Sequence, residues 1–146
     1  MNRQIKFRIW DYRFKRFDRT TPTGGLDSAD IKISLDGELT WETEYGSGTI
    51  NGAIQQFTGL KDKNGKEIFE GDIIKERHYD DFHDEEGFDY VGVVRYKTYN
   101  TCDMGTKFSG YVTFPNDREN KEYAGNSILD DCEVIGNIFE NPELLA

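Results

Sequence analysis

The chain has 146 residues and a formal net charge of −10, from 28 acidic and 18 basic side chains. A protein with this negative charge is repelled at long range by DNA phosphates and by anionic lipid, which disfavours binding to either over its whole surface. No apolar run exceeds three residues, which excludes a membrane-spanning helix, and aromatic residues, 14% of the sequence, are expected to form much of the core.

The chain begins with a pattern typical of two strands. Apolar and basic side chains alternate from Ile5 to Ile9, at the period of two that a half-buried strand shows. We expect this strand to end at Trp10-Asp11. A second strand is predicted to follow at once and to carry three aromatic residues, Tyr12, Phe14 and Phe17.

A second pair of strands is predicted around Asp36-Gly37. Apolar side chains alternate from Ile31 to Leu35 and again from Leu39 to Trp41. Two alternating runs joined by Asp-Gly are typical of a β-hairpin, because Gly adopts the positive φ that such a turn needs. The Gly-rich stretch 45–52 is predicted to be a flexible connection.

Further strands are predicted in the rest of the chain, each bounded by polar or Gly-containing reversals, at 54–60, 73–77, 90–96, 108–114 and 132–139. Asn64-Gly65 and Glu70-Gly71-Asp72 predict tight turns. Asn141 followed by Pro142 predicts one short helical turn, since Asn favours the N-cap and Pro the first helical position.

These short strands and close turns predict an all-β roll or barrel. We expect a single domain over 1–146, in which 1–53 form a hairpin-rich N-terminal extension, 54–140 the barrel core and 141–146 the C-terminal turn. The N-terminal sequence MNRQIKFRIW lacks the apolar core of a signal peptide, so a cytoplasmic location is expected. Cys102 and Cys132 are expected to be reduced thiols, with one disulfide as the alternative.

The most basic segment is the N-terminal one. Residues 1–20 contain seven Lys or Arg and two Asp, whereas the remainder is strongly acidic. Cations interleaved with aromatic rings suit single-stranded nucleic acid, through phosphate contact and base stacking. A solvated strand face is the favoured interpretation, and contact with an acidic surface of the same or another subunit is the other alternative. The candidate contact residues for a nucleic acid or a protein partner are Lys6, Arg8, Arg13, Lys15 and Arg16.

Two other segments have the composition of binding sites. The loop 78–89 contains two His and several carboxylates, which suit a divalent metal, but their spacing fits no zinc or EF-hand pattern and a solvated loop is favoured. The Gly-rich block 58–72 has the composition of a phosphate-binding loop. No helix pattern follows it, so structural turns are favoured there.

Catalytic residues are not assigned. Nucleophilic catalysis needs a Ser, Cys or Thr beside a base, and both His of the chain lie in the loop 78–89. The 28 acidic residues offer too many pairs for any one pair to indicate acid–base catalysis. We therefore expect no enzyme activity, no cofactor and no metal.

Three blocks of the sequence together resemble the YopX family, small proteins encoded by phages and prophages. They are IKFRIWD near the start, QFTGLKDKNGKEIFEGDII in the middle and EVIGNIFENPELL at the end, in the family's order and spacing. The resemblance covers nearly the whole chain, although Ile9 stands where Ala is common, and 18–50 and 78–89 carry no family motif. It implies an SH3-like β-roll or barrel with an N-terminal β-hairpin extension, and a phage or prophage origin, but no activity.

The expected function is that of a non-enzymatic accessory protein of a phage or prophage. It would bind an unknown host or phage protein in the bacterial cytoplasm, and homo-oligomers are an alternative because symmetric pairing also covers open strand edges. Nucleic-acid binding through the basic N-terminal strands is the first functional alternative. A metal-dependent site in the loop 78–89 is the second.

Overall fold

The computed structural model describes residues 5–18, 30–79, 87–100, 107–115, 126–128 and 130–146. Within these ranges the regular structure is nearly all β, and no residue lies in an α-helix, which confirms the all-β class. A 3-10 helix follows the last strand at Pro142–Leu145. The strands are β1 (Phe7–Asp11), β2 (Arg16–Asp18), β3 (Asp30–Ile33), β4 (Leu39–Thr43), β5 (Gly46–Thr49), β6 (Gly52–Lys61), β7 (Glu67–Phe69), β8 (Asp72–His78), β9 (Phe88–Asn100), β10 (Lys107–Pro115), β11 (Asn126–Ser127) and β12 (Glu133–Asn137).

The chain divides into two compact units, one of residues 6–56 and one formed mainly by residues 57–146. The first unit contains two antiparallel sheets. In one sheet β1 lies between β2 and the first half of β6, and in the other β4 lies between β3 and β5. The predicted organisation, a single domain with an extension over 1–53, stays a prediction.

The hairpin predicted around Asp36-Gly37 is present, with Gly37 at φ 86 in the turn between β3 and β4. The flexible connection predicted for 45–52 is wrong, because β5 pairs there with β4. Trp41 lies opposite Gly48, and a Cβ on Gly48 would stand 2.8 Å from Trp41 Nε1. The indole thus takes the space of the missing side chain, so that a Gly-rich sequence without strand propensity is held in the sheet.

The second unit is built on a five-stranded antiparallel sheet with the order β11-β10-β9-β8-β12, curled into a half-barrel. The second half of β6 pairs with β7. Burial of branched side chains, at about 1.5–3 kcal/mol each, stabilises this unit. The central cluster consists of Ile68, Ile74, Val94, Cys132 and Val134.

Each strand predicted after residue 53 corresponds to an observed one, but β9 and β10 are longer than predicted. Thr98 lies beyond the strand predicted at 90–96, and its hydroxyl contacts that of Ser109 at 2.7 Å across the β9–β10 ribbon. Polar cross-strand pairs of this kind extend a ribbon beyond its apolar residues. The SH3-like character of the barrel stays a prediction.

The bend between β7 and β8 depends on Gly71, which has a φ of 83. Its N–H donates to the carbonyl of Val94 at 2.8 Å, and its carbonyl accepts from the N–H of Ile138 at 3.0 Å. Gly71 makes both hydrogen bonds from a left-handed backbone, which an L-residue with a Cβ adopts only at a cost.

Replacing Gly71 with Ala is expected to lower the free energy of unfolding by about 1–2 kcal/mol, because the left-handed conformation must be kept. Urea unfolding measures this change. Gly46→Ala is the matched control, since no positive φ is required there and an added Cβ meets nothing within 4 Å. An equal loss of unfolding free energy in the two variants would contradict the role of the left-handed backbone at Gly71.

The predicted C-terminal turn is present, with Asn141 at the N-cap and Pro142 at the start of the helical turn as predicted. Asn141 occupies the N-cap position and makes no side-chain capping bond. Its Oδ1 accepts instead from the N–H of Asn137, the last residue of β12, at 3.4 Å. Over the ranges given above, the structure contains no helix with the length and apolar character needed to cross a membrane.

Candidate functional site

The turn between β1 and β2 occupies residues 12–15, so the prediction that Tyr12 and Phe14 lie on the second strand is wrong. The buried carboxylate of Asp11 explains the reversal: its Oδ1 accepts from the N–H of Arg13 at 2.7 Å and from that of Phe14 at 3.1 Å. Lys15 completes the turn with a φ of 51. An Asp that binds the backbone ahead of it is a common turn initiator, and this signal was present in the sequence.

The base of this hairpin is held by aromatic and cationic contacts. Trp10 and Phe17 meet edge to face, with ring centroids 5.0 Å apart. The guanidinium of Arg8 lies 4.3 Å from the Phe17 ring centroid, and Arg8 Nε donates to Gln55 Oε1 at 2.9 Å. Arg8 is therefore held by its own unit, and Lys6 lies half-buried just before β1.

Two of the other three predicted contact residues, Arg13 and Arg16, lie beside one exposed ring at the end of the hairpin. Phe14 is 56% exposed, and the guanidiniums of Arg13 and Arg16 each lie 5.3 Å from its ring centroid. Lys15 stands between them in sequence and is exposed. We call Arg13, Phe14, Lys15 and Arg16 the tip cluster.

The cations of the tip cluster have no carboxylate partner among the described residues, unlike four other cations of the chain. Among the residues that the structure describes, no ion pair involves Arg13, Lys15 or Arg16. Elsewhere carboxylates accept from the cations, as in the pairs Lys32–Glu42, Lys63–Glu133, Lys75–Asp89 and Arg77–Asp89.

Pairing shifts the pKa values of the groups in these ion pairs. Hydrogen bonds from Lys75 and Arg77 lower the pKa of Asp89, and the hydrogen bond to Glu133 raises the pKa of Lys63. All these groups are solvent-exposed, so each pair contributes little to stability.

Two carboxylates of the Gly-rich block 58–72 accept hydrogen bonds from β12. Asp62 Oδ1 accepts from the N–H groups of Asn64 and Lys66, both at 2.9 Å, and its Oδ2 accepts from the N–H of Val134 at 3.0 Å. Asp72 is likewise bonded to Asn137 of β12. These contacts support the structural interpretation of the block, in which its polar residues fix turns and a strand edge.

Burial raises the pKa of Asp62, but the N–H donors of Val134, Lys66 and Asn64 outweigh it, and the pKa lies below its ordinary value of 3.8. The carboxylate therefore stabilises the fold fully above the ordinary pKa, and this contribution is lost as the pH falls through the lowered value.

Asp62→Asn is expected to lower the free energy of unfolding by about 1–2 kcal/mol at pH 7, because the charge is lost and an NH2 group replaces one of the two acceptor oxygens. The difference from the wild type should shrink as the pH falls from 3.8 through the lowered pKa, where the carboxylate of the folded wild type also becomes protonated and neutral. Urea titrations of both proteins at several pH values measure it. A difference that stays constant with pH would contradict the role of the charge.

The acidic loop 78–89 is described only at its ends, and Asp80, Asp81, His83, Asp84, Glu85 and Glu86 lie outside the described residues. At one end His78 Nε2 lies 3.0 Å from Oε2 of the buried Glu76, and the imidazole packs on Phe88 and Tyr90. Among the described residues, no three His, Cys, Asp or Glu side chains lie close enough together to hold a metal ion.

Cys132 is a buried free thiol, and Cys102 lies outside the described residues. Burial, followed by the nearby carboxylates of Glu76 and Asp62, raises the pKa of Cys132 to about 11. A thiol that stays protonated at neutral pH is a poor nucleophile. We therefore interpret Cys132 as a residue that packs in the hydrophobic core.

Comparison with known proteins gives a family and similar solved structures. The profile of the family described as YopX protein matches residues 6–146. The crystal structure of protein EF1440 from Enterococcus faecalis is similar, with a TM-score of 0.53 and 28% sequence identity over 99% of this chain and 100% of that chain. No curated protein matches the chain.

Proposed function

The chain belongs to the YopX family, and from this premise we propose that it is a phage or prophage accessory protein that acts in the bacterial cytoplasm by binding a protein, without catalysing a reaction. The tip cluster is the proposed contact site. It supplies an exposed aromatic ring beside cations, a combination of residues that is enriched at the energetic centres of protein interfaces.

The observation that supports this proposal is the lack of carboxylate partners at Arg13, Lys15 and Arg16 within the described residues, beside an exposed Phe14. Four other described cations, Lys32, Lys63, Lys75 and Arg77, pair with carboxylates of the abundant acidic side chains. Three cations without a described carboxylate partner, on one hydrogen-bonded turn, leave charge and apolar surface available to a protein.

Nucleic-acid binding is the alternative for the same cluster. Single-stranded nucleic acid needs bases stacked on ring faces and a basic groove along the backbone. Here two guanidiniums lie near the Phe14 ring, and Lys32, Lys63, Lys75 and Arg77 are paired with carboxylates. A compact anchor for a protein therefore fits the tip better than a nucleic-acid track.

The test captures partners on the tagged protein from a lysate of the bacterium that carries the phage or prophage, with and without nuclease. The expected result is a protein that is retained by the wild type after nuclease and lost from an Arg13→Glu/Arg16→Glu variant. Retention of nucleic acid alone, in the untreated sample only, would replace this proposal with the nucleic-acid alternative. A protein retained equally by the variant would place the contact elsewhere.

A further inference from the structure

We infer that the tip cluster recognises an acidic protein segment, in which carboxylates flank an apolar side chain. This inference rests on the proposed function and names the chemistry of its partner. The apolar side chain would pack on Phe14, and the carboxylates would accept hydrogen bonds from Arg13 and Arg16. Lys15 would add a charge without fixed geometry.

The tip is organised before any partner arrives. Two backbone N–H groups of the turn bind the buried Asp11 carboxylate, and the Trp10–Phe17 contact holds the strands together directly below. A turn fixed in this way loses little conformational entropy on binding, so its contacts translate into affinity more fully than those of a loose loop.

Carboxylates are the matching anions because of how the two guanidiniums are held. Each lies 5.3 Å from the same ring centroid, so they stand within about one Debye length of each other, roughly 10 Å at 0.1 M salt, and repel. Anions placed beside them relieve this repulsion. The planar guanidinium donates two parallel hydrogen bonds to a carboxylate, which lysine does not.

Charge also limits the size of the acidic ligand. The chain carries a net charge of −10, so a long polyanion is repelled by the remainder of the molecule with every added charge. A short segment with a few carboxylates and an apolar anchor gains the contacts at the tip and meets less of this repulsion. The exposed Phe14 distinguishes such a segment from a purely ionic ligand.

The test measures fluorescence anisotropy of short labelled probes with the full chain. The probes are a peptide in which Glu pairs flank a Leu, the same peptide with Gln in place of Glu, and an oligo-dT of equal length. We expect the Glu peptide to bind, and its affinity to fall about tenfold or more with the Gln peptide or with an Arg13→Gln/Arg16→Gln variant. Phe14→Ala should weaken binding severalfold, and Phe14→Leu should restore part of the loss.

Several results would overturn the inference: no binding of the Glu peptide, equal binding of the Glu and Gln peptides, tighter binding of oligo-dT, or self-association of the wild type that the Arg13→Gln/Arg16→Gln variant abolishes. Circular dichroism and thermal unfolding of each variant confirm that lost binding is not lost folding. If the lysate partner still depends on the tip cluster while the Glu peptide does not bind, the proposed function stands and only the acidic chemistry fails.

Discussion

Exchange of both Arg13 and Arg16 for Glu is expected to weaken binding of the captured partner by about a hundredfold or more, and to leave the fold intact. A hundredfold corresponds to about 2.7 kcal/mol. Close charge pairs in an interface are coupled by about 1.5–7 kcal/mol, and reversal adds repulsion to the loss of attraction. The fold should survive because both guanidiniums contact the exposed ring of Phe14 and no described carboxylate.

Titration calorimetry with the purified partner measures this loss, and circular dichroism checks the fold. The matched control is Lys61→Glu/Lys66→Glu, which makes the same change in net charge at exposed positions of the second unit. We expect the control to bind within a few-fold of the wild type. An equal loss in both double variants would mean that overall charge, and not the tip cluster, governs binding.

Removal of the Asp72 carboxylate is expected to cause the largest loss of stability. Asp72 is buried, its Oδ2 accepts from the N–H of Phe69 at 2.8 Å, and its Oδ1 accepts from Asn137 Nδ2 at 3.1 Å. Asp72→Ala leaves two buried donors without an acceptor, at about 1–3 kcal/mol each. We expect a loss of about 3 kcal/mol and a fall in Tm of roughly 10 °C.

Urea and thermal unfolding measure this change. Asp72→Asn should lose about half as much, because its side chain keeps one acceptor oxygen, and Asp130→Ala, at an exposed position, should lose almost nothing. If Asp72→Ala unfolded at the same urea concentration as Asp130→Ala, the hydrogen bonds of the Asp72 carboxylate, including the one from Asn137 of β12, would not be important for stability.

The sequence predicted the second unit well because its strands are rich in apolar and β-branched residues with polar turns between them. The failures occurred where side chains from elsewhere determine the backbone. The pairing of Gly48 with Trp41 makes a strand out of a Gly-rich segment, and no local pattern contains that information. The polar Thr98–Ser109 pair similarly extends β9 past its apolar residues.

The candidate site was predicted in part. The sequence indicated the basic segment and its aromatic neighbours, but placed Phe14 on a strand and grouped all five cations together. The structure separates them, because Arg8 is held by Phe17 and Gln55 whereas Arg13 and Arg16 share the ring of Phe14. This separation depends on the buried Asp11 carboxylate, whose role requires the three-dimensional turn to be known.

The most direct test of the central claim is an amide chemical-shift map of the isotope-labelled protein, recorded during titration with the captured partner. The account predicts that the largest shifts fall on residues 12–16, with smaller ones along β1 and β2. Shifts concentrated in the second unit, with residues 12–16 unchanged, would contradict it and place the binding surface away from the tip cluster.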